Sequence, residues 1–219
     1  MLQEVSGDRA KGFQMIHRRL FRRSHESNQH PDATPGERTE KESCGQRLHL
    51  GCGEVYLPGY LNIDLPPQHQ TVMRKIKVDI YADISRFYCA TNSIEEIGLH
   101  HVFEHFDRPT ALQVLISWYL MLKDMGRLVI ETPDFEKCVP RMFAKEGSLR
   151  EQMVAARHIF RSHEAPWAIH RECWYRAEFK QYLGALGFSD LSFDYSEWHG
   201  TFNISVIALK RPHSKLGVN

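Results

Sequence analysis

The sequence lacks the features of several protein classes. It has five cysteines, an odd number, and no two stand at CxxC spacing, so neither a disulfide framework nor a structural zinc site is expected. No apolar run approaches the roughly 20 residues of a membrane span, and the N-terminus lacks the zones of a secretory signal. The formal charge is only +1, which provides no overall field for nucleic acid. We therefore expect a protein of the reducing cytoplasm, with no nucleic-acid partner and no membrane span.

The 219 residues, with 42% hydrophobic and 25% charged side chains, suit one globular domain with an extension. Residues 1–46 differ from the rest, because a basic amphipathic helix is predicted at 10–23 and a polar linker follows it. Four interpretations of this helix stay open: a lid over a ligand, a contact in a homodimer, an anchor on an anionic surface, or a helix packed on the domain with solvated arginines. The main domain is expected at residues 47–211, with a tail at 212–219.

From residue 47 onward, apolar runs alternate with helical periodicity. Strands are predicted at 47–50, 61–65, 77–81, 94–99, 127–131, 188–195 and 202–210, and helices at 110–122, 149–160 and 177–186, the last closed by Gly187. This order predicts an α/β fold, Rossmann-like, with a doubly wound and mostly parallel seven-stranded sheet. The last two strands are expected to form an antiparallel hairpin at one sheet edge. Residues 136–172 are too long for an ordinary loop and predict a helical insertion after the fifth strand.

A glycine turn follows the first strand, at the end of the sheet where such folds bind ligands. Gly51-Cys52-Gly53 lets the chain turn sharply and lets a ligand approach the backbone, because glycine has no Cβ. Asp64 ends the second strand, and a carboxylate there can accept hydrogen bonds from both hydroxyls of a ribose. The pattern favours nucleoside binding over the alternative, a tight turn followed by a solvated aspartate.

The spacing around this turn argues against a dinucleotide. Tyr56 occupies the third glycine position of G-x-G-x-x-G. Only ten residues separate Gly53 from Asp64, and they include Pro58 and Gly59. That length hardly accommodates the crossover helix whose N-terminus would hold a pyrophosphate, and the chain has no G-x-x-x-x-G-K-[ST] loop. The turn therefore suits a ribose and an amino-acid tail.

The segment LHLGCGEVYLPGYLNIDL resembles the opening of the class I S-adenosylmethionine-dependent methyltransferases, and is closest to a bacterial branch often associated with polysaccharide or natural-product pathways. The similarity continues in VDIYADI, EEIGLHHVFEHF, YLMLKDMGRLVIETPDFEK and EFKQYLGALGF, and it covers about residues 47–210. The sequence departs from the family at His49, where wider relatives carry Asp or Asn. It departs again where Lys-Asp-Met-Gly replaces Lys-Pro-Gly-Gly before the fifth strand.

The resemblance implies S-adenosylmethionine as the cofactor and assigns its contacts by position. The methionine moiety falls to the glycine turn, the ribose to the end of the second strand, the adenine to the residues after the third, and the sulfonium to the end of the fourth. The predicted cofactor-binding residues are Gly51, Cys52, Gly53, Asp64, Leu65, Asp83, Ile84, His100 and His101.

The segment 101–105 matches H-x-x-E-H, an inverted zinc-protease motif. Metal is not expected here, because the segment directly follows a strand, because Pro109 leaves a helix only just starting, and because the resemblance explains these residues without metal. Histidine is a suitable base for a hydroxyl acceptor near neutral pH. His101, Glu104 and His105 are therefore the predicted catalytic residues. The alternative for Glu104 and His105 is that they cap the following helix.

The acceptor is expected to lie under the insertion at 136–172, which is rich in basic and aromatic residues. The alternative is a solvated helical insertion with a small aromatic core. The leading hypothesis is O-methylation of a small hydroxylated acceptor, a sugar or a natural product. N-methylation of an amine and a catalytically silent S-adenosylmethionine-binding module are the alternatives. The predicted acceptor contacts are Trp167, His170 and Tyr175, with Trp174, Trp198 and His199 as further candidates.

Overall fold

The computed structural model describes residues 46–66, 77–165, 167–198 and 201–212. The basic helix predicted at 10–23, the linker that follows it and His199 lie outside the described residues. No helix in the described ranges is long and apolar enough to cross a membrane. All of the elements that follow belong to the predicted main domain.

Seven strands form one sheet in the order β3-β2-β1-β4-β5-β7-β6. The first five strands are parallel, and β7 runs antiparallel to both β5 and β6. Both the seven-stranded Rossmann-like sheet and the antiparallel hairpin at one edge are confirmed. The order reverses at β1, which lies between β2 and β4, so the carboxyl ends of these three strands border one crevice. The strands are β1 Arg47–Leu50, β2 Leu61–Asp64, β3 Ile80–Tyr81, β4 Ile94–His100, β5 Leu122–Pro133, β6 Phe188–Trp198 and β7 Thr201–Lys210.

Helices with clear end signals connect the strands. The Asp107 carboxylate accepts the Thr110 N–H at 3.0 Å and begins the helix after β4, so Glu104 and His105 do not cap it, contrary to one interpretation above. The last helix ends at Gly187, in the left-handed region at φ 96°, as predicted. The helices are α1 Arg108–Met121, α2 Phe135–Met142, α3 Leu149–Phe160 and α4 Arg176–Leu186, with a 3-10 turn at Phe103–His105.

The core forms between the central strands and helices α1 and α4. The central strands carry continuous apolar runs because both sheet faces are covered; Leu50 and Leu99 are fully buried. Trp174 packs between Phe103 and Phe179, with ring centroids 4.6 and 5.3 Å away, and is 1% exposed. Trp174 therefore belongs to an aromatic core, and the suggestion that it stacks on an acceptor is wrong.

Two local features differ from expectation. Strand β5 begins at Leu122, five residues earlier than predicted, because Leu122 is buried beside Ile94 and its carbonyl accepts Lys210 Nζ at 2.7 Å. Among the described cysteines, Cys52, Cys138 and Cys173 are free thiols, whereas Cys89 is disulfide-bonded, a bond that the cysteine spacing did not predict.

Candidate active site

The turn after β1 brings two glycines into the left-handed backbone region. Gly51 has φ 65° and Gly53 has φ 54°. The N–H groups of Gly51 and Cys52 both donate to the Ile63 carbonyl, at 2.8 and 3.1 Å, which folds the turn back onto β2. A Cβ at Gly51 would collide with the Val102 side chain. Glycine at position 51 is therefore required by both the backbone conformation and the space available.

Asp64 is fixed against this turn. Its side chain accepts the Gly53 N–H at 2.5 Å through Oδ2 and the Leu65 N–H at 2.7 Å through Oδ1, and the residue is 6% exposed. The structure thus brings Gly53, Asp64 and Leu65 together at the carboxyl ends of β1 and β2, where the resemblance places the ribose of the cofactor.

Asn62 holds the connection between β1 and β2. Its amide nitrogen donates to the Leu57 and Tyr60 carbonyls at 3.1 and 3.0 Å, and its Oδ1 accepts the Leu57 N–H at 2.9 Å. His49 Nδ1 lies 3.0 Å from the same Oδ1, and His49 is 2% exposed. These contacts fix a short connection without a helix, and His49 supports it from inside.

The thiol of Cys52 faces inward rather than into open space. It donates to the Lys77 carbonyl at 3.5 Å and is 4% exposed. Burial, together with the nearby Asp64 charge, raises the pKa of the Cys52 thiol far above its usual range. Cys52 is consequently neutral, and only its backbone is available to a ligand at the turn.

The two residues predicted to contact adenine follow β3 directly. The Asp83 side chain is exposed and accepts the Ser85 N–H and hydroxyl through Oδ1, at 2.9 and 2.6 Å. Ile84 is 7% exposed and packs with the core. Asp83 thus closes a local turn beside β2, and Ile84 supplies an apolar surface under it.

His101 lies at the end of β4 between two buried carboxylates. Its Nδ1 is 3.3 Å from Glu104 Oε1, and its Nε2 is 3.5 Å from Glu131 Oε1. The backbone is left-handed at φ 54° and is tied to β5 by the His101 N–H, which donates to the Glu131 carbonyl at 2.9 Å. The imidazole is 35% exposed, so a ligand can reach it from the crevice.

The charges of this cluster support one another. Burial lowers the pKa of His101. The hydrogen bond to Glu104 and the charges of Glu104 and Glu131 raise it by more than burial lowers it, so the pKa of His101 lies above its usual value. Burial opposes ionisation of Glu104, yet the hydrogen bond and charge of His101 bring its pKa to about 2. Burial likewise opposes ionisation of Glu131, but the hydrogen bond and charge of His100 outweigh burial and bring the pKa of Glu131 to about 2. Both carboxylates are therefore ionised at neutral pH and strengthen His101 as a base.

Sequence reasoning missed Glu131 and His158 as members of this cluster. Glu131 lies near the carboxyl end of β5, paired with His100 of β4, so the parallel order of the strands was a signal that pointed to it. His158 comes from α3, and its ring lies 5.8 Å from the His101 ring. Its Nε2 is 2.8 Å from Asn203 Oδ1 on β7. Nothing in the local pattern distinguished His158 from the other basic residues of the insertion.

His105 and His170 meet on another side of Glu104. Their ring centroids lie 4.8 Å apart, and His170 Nε2 is 3.7 Å from Glu104 Oε1. The His170 side chain is only 3% exposed. It therefore does not face an open space for an acceptor, and the prediction that it contacts the acceptor is wrong. Burial, together with the nearby His105, lowers the pKa of His170 to about 4 despite the charge of Glu104.

The remaining predicted acceptor contacts are partly buried. Trp167 is half-buried in the segment between α3 and α4. Tyr175 precedes α4, and its ring lies 6.5 Å from the Phe135 ring. Trp198 ends β6, and its side chain lies outside the described part of the chain. The roles of Trp167 and Tyr175 in binding an acceptor therefore stay predictions.

Solved structures with the same fold include S-adenosylmethionine-dependent methyltransferases. A SAM dependent methyltransferase from Archaeoglobus fulgidus is 14% identical, with a TM-score of 0.57 and coverage of 92% of this chain and 94% of that chain. The methyltransferase SibL in its apo form is 14% identical, with a TM-score of 0.50 and coverage of 77% and 51%. A Bordetella parapertussis protein named as a possible exported protein is 15% identical, with a TM-score of 0.53 and coverage of 94% and 68%.

No family model matches the sequence, and no curated protein matches it. The structural matches are too distant in sequence to transfer an activity, but they cover nearly the whole chain in the first of these cases. They agree with the strand order and with the antiparallel pair at the sheet edge. The chain therefore has the Rossmann-like fold of the class I S-adenosylmethionine-dependent methyltransferases.

Proposed function

We propose that this chain transfers a methyl group from S-adenosylmethionine to a hydroxyl of a small polar acceptor, a sugar or a natural product. One observation carries the proposal. The turn at Gly51 and Gly53, with Asp64 fixed against it, lies at the ends of β1 and β2, and the His101 imidazole lies at the end of the adjacent strand β4. A nucleoside site and a base thus border the same crevice, where the strand order reverses.

The cofactor would be held mainly by the turn and by Asp64. The Asp64 carboxylate, which the Gly53 and Leu65 N–H groups hold in place, would accept the two ribose hydroxyls. The glycines leave room for the methionine moiety, and Asp83 with Ile84 would border the adenine. When bound, the cofactor supplies an electrophilic methyl group on a sulfonium, so the protein has chiefly to align the acceptor.

His101 is the catalytic residue of this proposal. Its neutral imidazole would take the proton of the acceptor hydroxyl as that oxygen attacks the methyl group that the bound cofactor would supply. Glu104 and Glu131 are ionised and stabilise the imidazolium that forms. We therefore place Glu104 as a positioning residue that acts through His101. His105 donates to the Ile169 carbonyl at 3.0 Å, which points its ring toward the segment that precedes α4.

The base favours a hydroxyl acceptor over an amine. A neutral amine already has a nucleophilic lone pair and needs no proton removed before it attacks, whereas a hydroxyl gains reactivity when a base takes its proton. Two buried carboxylates around one partly exposed imidazole carry a desolvation penalty that lowers the stability of the fold. A protein that only binds the cofactor would gain nothing from that penalty. This cost also argues against the silent binding module.

We expect Asp64→Ala to weaken S-adenosylmethionine binding. Loss of two ribose hydrogen bonds is worth on the order of 2–4 kcal/mol, or roughly 30- to 1000-fold in Kd, measured by calorimetry. Asp194→Ala is a matched control, because Asp194 is exposed and also accepts the N–H of the next residue, at 2.9 Å. Asp64→Asn keeps the side-chain shape if the alanine variant fails to fold. Unchanged affinity in both Asp64 variants would show that the ribose contact is misassigned.

We expect His101→Ala to lower turnover far more than cofactor affinity. Loss of a general base typically costs about 10²–10⁴-fold in rate, measured with labelled S-adenosylmethionine and a panel of sugars and phenols. His163→Ala, in which an exposed histidine is removed, is the control. Equal losses in turnover and affinity would assign His101 to binding. If the wild type binds the cofactor but methylates no hydroxyl, amine acceptors are tested next, and failure there leaves the binding module.

A further inference from the structure

Glu104, His105 and His170 bring three potential metal ligands together in the interior. One ligand atom from each lies within 4.8 Å of the other two. Glu104 and His105 are consecutive, whereas His170 comes from a distant part of the chain, and the backbone joins the two parts: the Arg171 and Glu172 N–H groups both donate to the Glu104 carbonyl, at 2.8 and 3.3 Å. The cluster is thus built into the fold rather than assembled from exposed side chains.

The two imidazoles are oriented in the same way. His105 Nδ1 lies 3.0 Å from the Ile169 carbonyl, and His170 Nδ1 lies 2.8 Å from the Ile159 carbonyl. Because a carbonyl only accepts, each Nδ1 carries the proton, and in the neutral ring each Nε2 carries a lone pair. Metal-binding histidines are typically oriented by such a bond from the opposite ring nitrogen.

Glu104 has an acceptor atom that no described residue uses. The residue is 1% exposed, and Oε2 has no hydrogen-bond donor within the described ranges. Oε1, which is 3.3 Å from His101 Nδ1, also lies 3.7 Å from the Nε2 lone pair of His170. A buried acceptor without a donor and a lone pair facing a carboxylate are both unfavourable. A cation between the three side chains would relieve both.

We propose that Glu104, His105 and His170 bind a divalent transition metal, with Zn²⁺ as the best match for two imidazoles and one carboxylate. Bonds of about 2.0–2.1 Å in tetrahedral geometry place ligand atoms roughly 3.3 Å apart. The 3.7 Å between His170 Nε2 and Glu104 Oε1 is close to that value. The ligand atoms of the cluster lie up to 4.8 Å apart, so small side-chain rotations would bring all three onto one metal ion.

A small cavity lies beside two of the three ligands. It is lined by Glu104 and His170 together with Glu172 and Cys173. The site differs from the one that the H-x-x-E-H motif suggests, because His101 faces Glu104 and Glu131 instead of His105. The proposal also departs from the expectation of no metal. It would tie the segment around residue 170 to the end of β4, and it does not depend on methyl transfer.

The test uses the full chain after removal of metal with a chelator. Zn²⁺ is titrated by calorimetry and Co²⁺ by its visible absorption, which reports a low-coordinate site. We expect one equivalent to bind and affinity to fall at least about 100-fold in His170→Ala and Glu104→Gln, since even outer-shell changes cost 10–100-fold. The control is His163→Ala, an exposed histidine whose Nε2 bonds the Phe160 carbonyl at 2.9 Å; its affinity should match the wild type.

A second measurement uses the wild-type chain alone, so it remains valid if one of the variants fails to fold. NMR of the histidine rings should show Zn²⁺ shifting the His105 and His170 signals and leaving His163 unchanged. Absence of binding, or binding retained in the folded His170 variant, would overturn the proposal. Because all of these readouts are of metal binding, their failure leaves the methyl-transfer proposal standing, and failure of methyl transfer leaves them unaffected.

Discussion

His158 is neutral in the folded chain near pH 7, because burial and the neighbouring His101 lower its pKa to about 4. The unfolded chain has an ordinary histidine pKa of about 6.5. As pH falls below 6.5, His158 takes up a proton in the unfolded state but stays neutral in the folded state. The free energy of unfolding therefore falls between about pH 6.5 and pH 4. The residue therefore makes the fold acid-sensitive in a defined window.

We expect His158→Gln to remove this part of the acid sensitivity. The shift corresponds to a loss of about 2 kcal/mol in the free energy of unfolding of the wild type between pH 7.5 and pH 5. Urea unfolding at the two pH values, in the presence of a chelator, measures it. His163→Gln removes an exposed histidine and serves as the control. An identical acid loss in the His158 variant and the wild type would contradict the expectation.

The sequence predicts single residues well where their role follows from position at a strand end. Gly51, Gly53 and Asp64 are brought together as expected, since a turn between adjacent parallel strands is a local feature. Trp174 was not predictable in the same way, because an aromatic residue in an irregular segment can pack inward or outward. Its burial depends on Phe103 and Phe179, which lie on other elements.

Among the elements, α3 has the most explicit start signal. The Ser148 hydroxyl accepts the Glu151 N–H at 3.3 Å, and Glu151 Oε2 accepts the Ser148 N–H at 2.8 Å, forming a capping box. The helix carries His158 to the site, and its Ile159 carbonyl accepts His170 Nδ1. Its cap therefore supports both the proposed active site and the proposed metal site.

We expect Ser148→Ala to destabilise α3 by about 1 kcal/mol through loss of the cap. Hydrogen exchange should show faster exchange at residues 151–160, with smaller changes in the central strands. Ser117→Ala is the matched control, because Ser117 is a partly exposed serine within α1 whose hydroxyl donates to the Gln113 carbonyl, and alanine favours a helix interior. Equal protection in the Ser148 variant and the wild type would show that the cap contributes nothing.

Element bounds were predictable where local signals set them and not where distant pairing does. Helix α3 has the bounds that its sequence predicts, and α4 ends at its glycine. Strand β5 is longer than its apolar pattern, because Leu122 pairs with Ile94 and accepts from Lys210, 88 residues away. No pattern within residues 122–126 contains that information.

For the whole molecule, the proposed cofactor should stabilise the fold by binding only the native state. At a cofactor concentration of 100 times Kd, binding adds about 2.7 kcal/mol to the free energy of unfolding. For a chain of this size that raises Tm by roughly 5–10 °C. A thermal scan with S-adenosylmethionine measures it, and Asp64→Ala should show at most about a third of that shift at the same concentration. NAD is the control ligand, because the turn lacks a third glycine and a crossover helix. A larger shift with NAD would reverse the choice of nucleoside.

The overall architecture was the most predictable property of the molecule. The alternation of strands and helices specifies a parallel sheet, and the helix-free connection before the last strand specifies its antiparallel edge. The cytoplasmic location, the homodimer contact and the domain bounds stay predictions. They depend on surroundings or on segments beyond the described ranges.

The left-handed backbone of His101 is strained, and its neighbours explain why the strain persists. A non-glycine residue in this conformation costs roughly 1–2 kcal/mol, and glycine would remove that cost together with the imidazole. The same change would leave Glu104 and Glu131 buried without the imidazole between them, and loss of one partner of a buried ion pair costs about 3–5 kcal/mol. A library screened on heat resistance alone should therefore retain His101, even though activity is not selected.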